Sequence, residues 1–537
     1  MQSGPDESKV YTTIMQLTCA DLGSCTPTHG DQVALNRPNI LVIMADQLSA
    51  RALPFHGHSV VKAPHLEALA KRATVFDSAY CNFPLCAPAR FSLLAGQHAS
   101  RIGAFDNACE FAASTPTIPY YLGSKGYNTI LAGKMHFVGP DQLHGFRERL
   151  TTDIYPADFG WTADWREGEF AFYAPGHNLS TVQESGDCYR SLQLDYDEEV
   201  DAKSVQRLFD LARDEESPFF MCVSFTHPHP PFHILPEYLE RYPMEEIDLP
   251  SVGNIPMAER DMLSRWIQFA HGLDKEAPTE QDIRRARRAY YAMTSYIDDK
   301  VGKLLETLDR AGFADNTIVV FTTDHGDMLG ERGMWFKRVF FEWSLNVPLL
   351  IALPGQKHSR RVADPVSHVD LLPTLLDYAD SAATTFVEPI DGRSLRPLIE
   401  GSESEPRIAF AEYLAEGVTG PCCMLRKGRY KYLYTHGYPD YLYDMVEDPQ
   451  ELRNLADARP DVVAALKSEV MQRWDPASIR EAVLASQARR KFINDLPDAM
   501  QPSWDFQAKT DDSRRFVRRG SARIIKVKKR WPPVLKS

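Results

Sequence analysis

Pro38-Asn39-Ile40-Leu41-Val42-Ile43-Met44-Ala45-Asp46-Gln47 is an unbroken apolar run that ends on an acid and an amide. A strand wetted on one face would alternate apolar and polar residues. A run without alternation marks a strand covered on both faces, as in a parallel sheet between helices. Residues 128–132, 219–225, 317–321 and 347–353 have the same character. Between the third and fourth of these five runs lies Gln281–Ala311. It carries Ile283, Ala286, Tyr290, Met293, Ile297, Val301, Leu304 and Leu308 at helical spacing, with Gly312 as a stop signal. This alternation predicts an α/β catalytic domain over 37–400, a large, mostly parallel sheet covered by helices. Beyond residue 400 the texture changes. Residues 423–434 read as an antiparallel hairpin, Tyr441–Asp444 as a further strand and 460–474 as a helix. A smaller α+β subdomain is expected over 401–485 and an extended C-terminal arm over 486–537. Residues 1–36 are expected to form a poorly ordered N-terminal arm.

The 537 residues carry 60 Lys+Arg against 73 Asp+Glu, a net charge of −13, with 44% hydrophobic residues. This is a globular composition, which excludes collagen, coiled coil and global disorder. No window approaches 18 uninterrupted apolar residues, so no spanning helix is expected. The start of the chain shows no basic and apolar leader, and the nine cysteines are odd in number and irregular in spacing. Both point to reduced thiols and a cytoplasmic location. The charge is uneven: residues 513–537 hold ten Lys/Arg and no acid, leaving −23 on the rest. Such a tail fits either an anionic-polymer binding protein or a segment that docks on an acidic neighbouring subunit. The acidic body favours the second, and no nucleic-acid partner is expected.

Ligands in open α/β sheets bind beyond the carboxyl ends of the strands. The first run ends in Asp46-Gln47, the second leads to Gly133-Lys134-Met135-His136, the third to Thr226-His227-Pro228-His229 and the fourth to Thr323-Asp324-His325-Gly326. Four strands thus bring acidic, basic and imidazole groups to one edge. Asp46, Asp324 and His325 suit a divalent cation such as Ca²⁺, Mg²⁺ or Mn²⁺. Taken singly, Asp46 and Asp324 could equally cap helices and His227 and His229 could equally sit in an exposed Pro-rich loop, while for Lys134 and His136 a solvated loop is the better single-site reading.

Leu85-Cys86-Ala87-Pro88-Ala89-Arg90 matches C-x-P-x-R and continues as Phe91-Ser-Leu-Leu-Ala-Gly-Gln. With the strand-end motifs in the same order, the chain resembles the type I sulfatases of the alkaline phosphatase superfamily. In that family the motif cysteine is oxidised to formylglycine by a maturation enzyme. The resemblance implies an alkaline-phosphatase-like fold and one divalent cation, Ca²⁺ first, held by Asp46, residue 86, Asp324 and His325. It also implies a mechanism in which the formylglycine hydrate attacks sulfur, the alcohol leaves, and the second hydroxyl collapses to aldehyde and expels sulfate. Arg90 and Lys134 would orient the nucleophile and sulfate, His136 would serve as base for the collapse, and His229 and Lys337 would contact the sulfuryl or leaving oxygen. Two positions depart from the commonest pattern: Gln47 stands where a second Asp is usual, and His325 where Asn is usual. Gln47 is therefore a weaker candidate, and His227 is also one of the weaker candidates.

Residues 133–146, 149–165, 411–417 and 424–432 resemble the choline sulfatase branch of the family, which implies choline-O-sulfate as substrate. A trimethylammonium group donates no hydrogen bonds and needs aromatic faces with carboxylates nearby. Trp161, Glu412 and Asp505 are the expected choline pocket, and the resemblance further implies a homo-dimer or homo-tetramer assembled through the C-terminal arm. The nearest alternative is a hydrolase of phosphonate or phosphate monoesters, or of aryl sulfates, in the same superfamily.

Overall fold

The computed structural model describes residues 37–174, 176–214, 217–379, 385–403, 405–497, 500 and 530–531. Eight strands form the main sheet: β1 Asn39–Ala45, β2 Thr74–Tyr80, β3 Asn128–Gly133, β4 Glu148–Arg149, β5 Phe219–Ser224, β6 Thr317–Thr323, β7 Leu350–Ala352 and β8 Arg360–Ser367. Their spatial order is β8-β2-β7-β6-β1-β5-β3-β4. β1 runs parallel to both neighbours, with Ile40 opposite Phe220 of β5 and Ile318 of β6. β3 is parallel to β5, β4 to β3, and β8 to β2.

All seven residues of β1 are buried. Ile40, Val42 and Met44 face one core layer, whereas Leu41, Ile43 and Ala45 face the other. This is why the opening run shows no alternation: both faces of the strand are dry. Helices α1 Cys86–Ala95, α2 Leu192–Asp214, α3 Met262–Ala270, α4 Glu280–Arg310 and α5 Pro476–Asn494 accompany the sheet. α4 starts on a Thr279/Asp282 capping box and buries Ala286, Tyr290, Met293, Ile297, Val301, Leu304 and Leu308, the apolar stripe seen in the sequence.

Three features differ from the reading of the sequence. Residues 347–353 yield only the three-residue β7, which pairs antiparallel with β6 and β2. β2 and β8 were not expected; each mixes apolar with polar residues, and β8 has two exposed arginines and a proline on the sheet edge. The expected arm boundary at 486 falls inside α5.

A second sheet of four antiparallel strands, β9 Ile408–Tyr413, β10 Cys422–Lys427, β11 Tyr430–Thr435 and β12 Tyr441–Asp444, lies within 401–485. It is tied to the main body by buried Lys431 of β11, which pairs with Glu342 and Glu451, each at 2.8 Å. Residues 1–36, Asp505 and nearly all of the basic tail lie outside the described residues. The described pair Arg530–Trp531 adds as an antiparallel strand to Arg190–Ser191 of the same chain. Among the described residues no helix is long and apolar enough to cross a membrane, and seven cysteines are free and buried.

Candidate active site

The carboxyl ends of β1, β3, β5 and β6 converge as the sequence implied, and Cys86 opens α1 beside them. Close approach is built into the backbone. Gly133 ends β3 at φ 100°, and a Cβ there would lie 1.9 Å from the Ser224 carbonyl oxygen of β5. Only glycine fits such a position. Four residues at the site adopt left-handed backbone without being glycine: Gln47, His136, Phe336 and Arg338. Each is pinned through its N–H. Gln47 donates to Asp324 (3.0 Å), His136 to Asp153 (2.7 Å), Phe336 to Asp327 (3.0 Å) and Arg338 to the Pro84 carbonyl (3.1 Å). Strain of about 1–3 kcal/mol at each persists because these bonds over-determine it.

The Cys86 sulfur lies 3.1 Å from Lys337 Nζ and 3.3 Å from His325 Nε2, with an Asp46 oxygen at 4.0 Å. Burial alone would push the thiol up; Lys134, Lys337 and His325 outweigh it and hold the thiol well below its ordinary value. Arg90, fully buried, donates to Asp324 (2.9 Å), to the Lys134 carbonyl (2.6 Å) and to Ser224 Oγ (2.8 Å). Lys134 is ion-paired with Asp46 and sits 4.3 Å over the Tyr155 ring.

Asp46, Cys86, Asp324 and His325 each bring a ligand atom within 4.8 Å of the others, all buried. Burial, then the Asp324 carboxylate, push Asp46 well above its usual range; burial would raise Asp324 too, but Arg90, His325 and Lys134 together outweigh it and hold Asp324 low. Two buried carboxylates with a sulfur and an imidazole are a donor set that a divalent cation fits. Gln47 stands beside it. Its Nε2 donates to Asp327 (2.6 Å) and its Oε1 accepts from Lys337 (2.7 Å), so its amide orients neighbours.

The two histidines of the third loop part ways. His227 Nδ1 and backbone N both bond Asp197 (2.6 and 3.0 Å), and its carbonyl accepts from Asp46 N–H. It braces the loop behind the site. His229 faces the cavity, with Nδ1 2.6 Å from the Pro230 carbonyl and 3.1 Å from Tyr155 Oη. Burial, then Lys337, lower its pKa well below the usual value. Neither ring nitrogen of His136 has a hydrogen-bond partner. Burial lowers its pKa although the nearby Cys86 sulfur opposes the shift.

A cavity of about 160 Å³ opens onto Cys86, His136, His229 and Lys337, and Trp161 is in its wall. Glu412 is not. It is fully buried in β9, with its two oxygens taken by Ser100 N–H (2.6 Å) and Trp474 Nε1 (2.8 Å). The carboxylate in the wall is Glu416, four residues on. One of its oxygens accepts from Arg338 Nη2 (2.7 Å) and Nε (3.2 Å), while Oε2 is buried without a partner. Sequence reading also missed Asn107, Tyr155 and Arg338. Both glutamates lie in the Ala411–Gly417 stretch, and only the way the chain leaves β9 decides which of them reaches the cavity.

A sulfatase family model matches residues 38–381, and the model for the C-terminal region of N-sulphoglucosamine sulphohydrolase matches 330–475. The chain is 42% identical over 508 residues to a choline-sulfatase of Rhizobium meliloti (strain 1021), covering 92% of this chain and 99% of that one. It is 28% identical over 448 residues to an arylsulfatase of Clostridium perfringens, covering 79% and 91%. The solved phosphonate monoester hydrolase of Agrobacterium radiobacter shares the fold with a TM-score of 0.64 at 24% identity, over 83% of this chain and 96% of that one. A family model spanning well over half of the chain, laid over a cysteine at the head of a helix amid buried carboxylates and cations, leads to one conclusion: this chain belongs to the sulfatase family.

Proposed function

We propose that this sulfatase hydrolyses choline-O-sulfate to choline and inorganic sulfate. The observation that carries the choice of alcohol is the wall of the cavity above Cys86: Trp161, Phe172 and Tyr155 beside the unpartnered oxygen of Glu416. Aromatic faces and a buried carboxylate are what a cation without hydrogen-bond donors needs.

On this reading a maturation enzyme converts Cys86 to formylglycine, whose hydrate supplies the oxygen nucleophile. Asp46, Asp324, His325 and residue 86 would hold one divalent cation, for which the family resemblance puts Ca²⁺ ahead of Mg²⁺ or Mn²⁺, and which would supply positive charge against the sulfuryl oxygens. Lys134 and Lys337 place ammonium groups beside residue 86, where the sulfuryl oxygens gather charge as the ester bond breaks. Lys337 suits contact with the leaving side, since burial lowers its pKa and it already reaches the Cys86 sulfur. His136, free at both ring nitrogens, takes a proton from the nucleophile as sulfate departs. His229 has Nδ1 engaged by the Pro230 carbonyl, which turns Nε2 toward the leaving oxygen. Arg90 orients Asp324 and the Lys134 loop.

The free, buried thiols support a cytoplasmic enzyme, and the ten-charge tail on an acidic body supports assembly into a homo-oligomer. The test is turnover of choline-O-sulfate beside p-nitrophenyl sulfate and a phosphonate monoester, with mass spectrometry of peptide 81–90. We expect choline-O-sulfate to lead in kcat/KM by at least about tenfold, formylglycine at residue 86, and Cys86→Ala to lose at least about 10³-fold in kcat. A higher kcat/KM for either other ester would overturn the substrate, and unmodified Cys86 in active protein would overturn the nucleophile.

A further inference from the structure

Helix α5 lends no residue to the cavity wall, yet its inner face meets two segments that carry wall residues, 106–107 and 161–165, and reaches a third through Trp165. Arg490 is 5% exposed and grips Asp106, itself 0% exposed, through two parallel bonds of 2.7 and 2.9 Å. Its Nη1 also donates to Thr162 Oγ1 at 3.1 Å, and its Nε is fixed by Ser486 of the same helix. Asp106 precedes Asn107, which lines the cavity and whose Oδ1 accepts from Ala87 N–H at the head of α1. Thr162 follows Trp161. One turn back, Gln487 Oε1 accepts from Trp165 N–H (3.0 Å), and Trp165 Nε1 donates to the carbonyl of Ala415, the neighbour of Glu416.

We propose that Arg490 is a positioning residue for the alcohol-side wall, so that α5 sets the affinity for the leaving group without touching it. The inference rests on the proposed use of Trp161 and Glu416 to bind the choline head. A guanidinium fork fixes distance and direction at once; a lysine in its place keeps the charge and loses the fork. Asp106 and Thr162 come from loops separated by more than fifty residues, and Arg490 links them in this buried corner. Loosening it lets the 106–107 and 161–162 segments drift apart. The sulfuryl side, held by Asp46, Arg90, Lys134 and Lys337, is tied to this corner only through the bond from Ala87 N–H to Asn107 and shifts less.

Arg490→Lys, and the isosteric Asp106→Asn as a milder break, separate this role from bulk stability. In Arg490→Lys we expect KM for choline-O-sulfate to rise about tenfold with kcat changed by less than about threefold, and kcat/KM for methyl sulfate, which has no group to reach the wall, to change by less than about threefold. Asp106→Asn should move KM in the same direction by a smaller factor. A residue that merely stabilises the fold would lower the melting temperature and cut kcat equally for both esters with KM unmoved. That pattern, or an unchanged KM in folded variants, overturns the inference. Failure of the wild-type enzyme to turn over choline-O-sulfate strikes the substrate reading alone; the comparison is then made with the bulkiest ester it accepts against methyl sulfate, under the same criteria.

Discussion

At the residue scale the site turns on which carboxylate faces the cavity. Glu412 and Glu416 are four apart, but β9 carries Glu412 into the core, and its oxygens are consumed by Ser100 and Trp474. Glu416 lies beyond the strand, with one oxygen on Arg338 and the other bare. Their glutamine variants should separate cleanly. Glu416→Gln removes the charge that faces the substrate and leaves Arg338 unopposed, so KM for choline-O-sulfate should rise by about tenfold or more. Glu412→Gln has a single acceptor for two donors, which should cost about 1–3 kcal/mol in a thermal or urea melt and leave KM unchanged. Steady-state kinetics and a melt on both proteins check this, and exchanged phenotypes would refute the assignment.

Among the elements, the ends of the strands matter more than their lengths. The left-handed residues Gln47, His136, Phe336 and Arg338 cluster where chain leaves the sheet, each pinned by one acceptor. Gly133 is the tightest of these junctions. Gly133→Ala would place a methyl 1.9 Å from the Ser224 carbonyl in a backbone region that alanine avoids. The expected cost exceeds about 2 kcal/mol, with Lys134 and His136 displaced. Lower stability together with a drop in kcat is the expected result; a variant with wild-type melting would show that β3 and β5 can separate freely. β1, β3, β5 and β6 were legible because dryness on both faces leaves a continuous apolar run. β2 and β8 were not, because wet or half-wet strands near a sheet edge carry arginine, aspartate and proline that read as loop.

Across the whole molecule, burial of neutral imidazoles makes stability depend on pH. Burial lowers His56 to about 3 and His58 and His368 to about 4. Below about pH 6.5 each is protonated in the unfolded chain but not in the folded one, so the unfolded chain binds more protons and stability falls as pH drops toward 4. Asp298, raised by burial to about 6, acts in the opposite sense below that pH, as do Asp327, Asp370, Glu412 and Glu451, whose carboxyls burial also raises; His144, lowered by burial to about 4, acts with the other imidazoles. The unfolding free energy in urea should therefore decrease between pH 7 and pH 6, above the range in which Asp298 takes up its proton, by up to about 1.4 kcal/mol per pH unit for each fully shifted histidine, with the midpoint falling in step. A midpoint that rises over this interval would contradict the burial of these rings.

The sequence by itself determined the covered sheet, the edge at which its motifs gather, and the family. Each of these follows from local chemistry: apolar runs without alternation, and the side chains that follow them in the chain. Six of its candidates, Cys86, Arg90, Lys134, Asp46, Asp324 and His325, meet at one edge. Only the tertiary structure decided that β7 runs antiparallel, that Gln47 and His227 brace the site, and that Glu416 lines the cavity in place of Glu412. It alone brought Arg490 against Asp106, 384 residues away. The reason is physical. Strand direction, side-chain facing beyond a strand end and long-range ion pairing are settled by packing between segments far apart in the chain, and no local pattern encodes that packing.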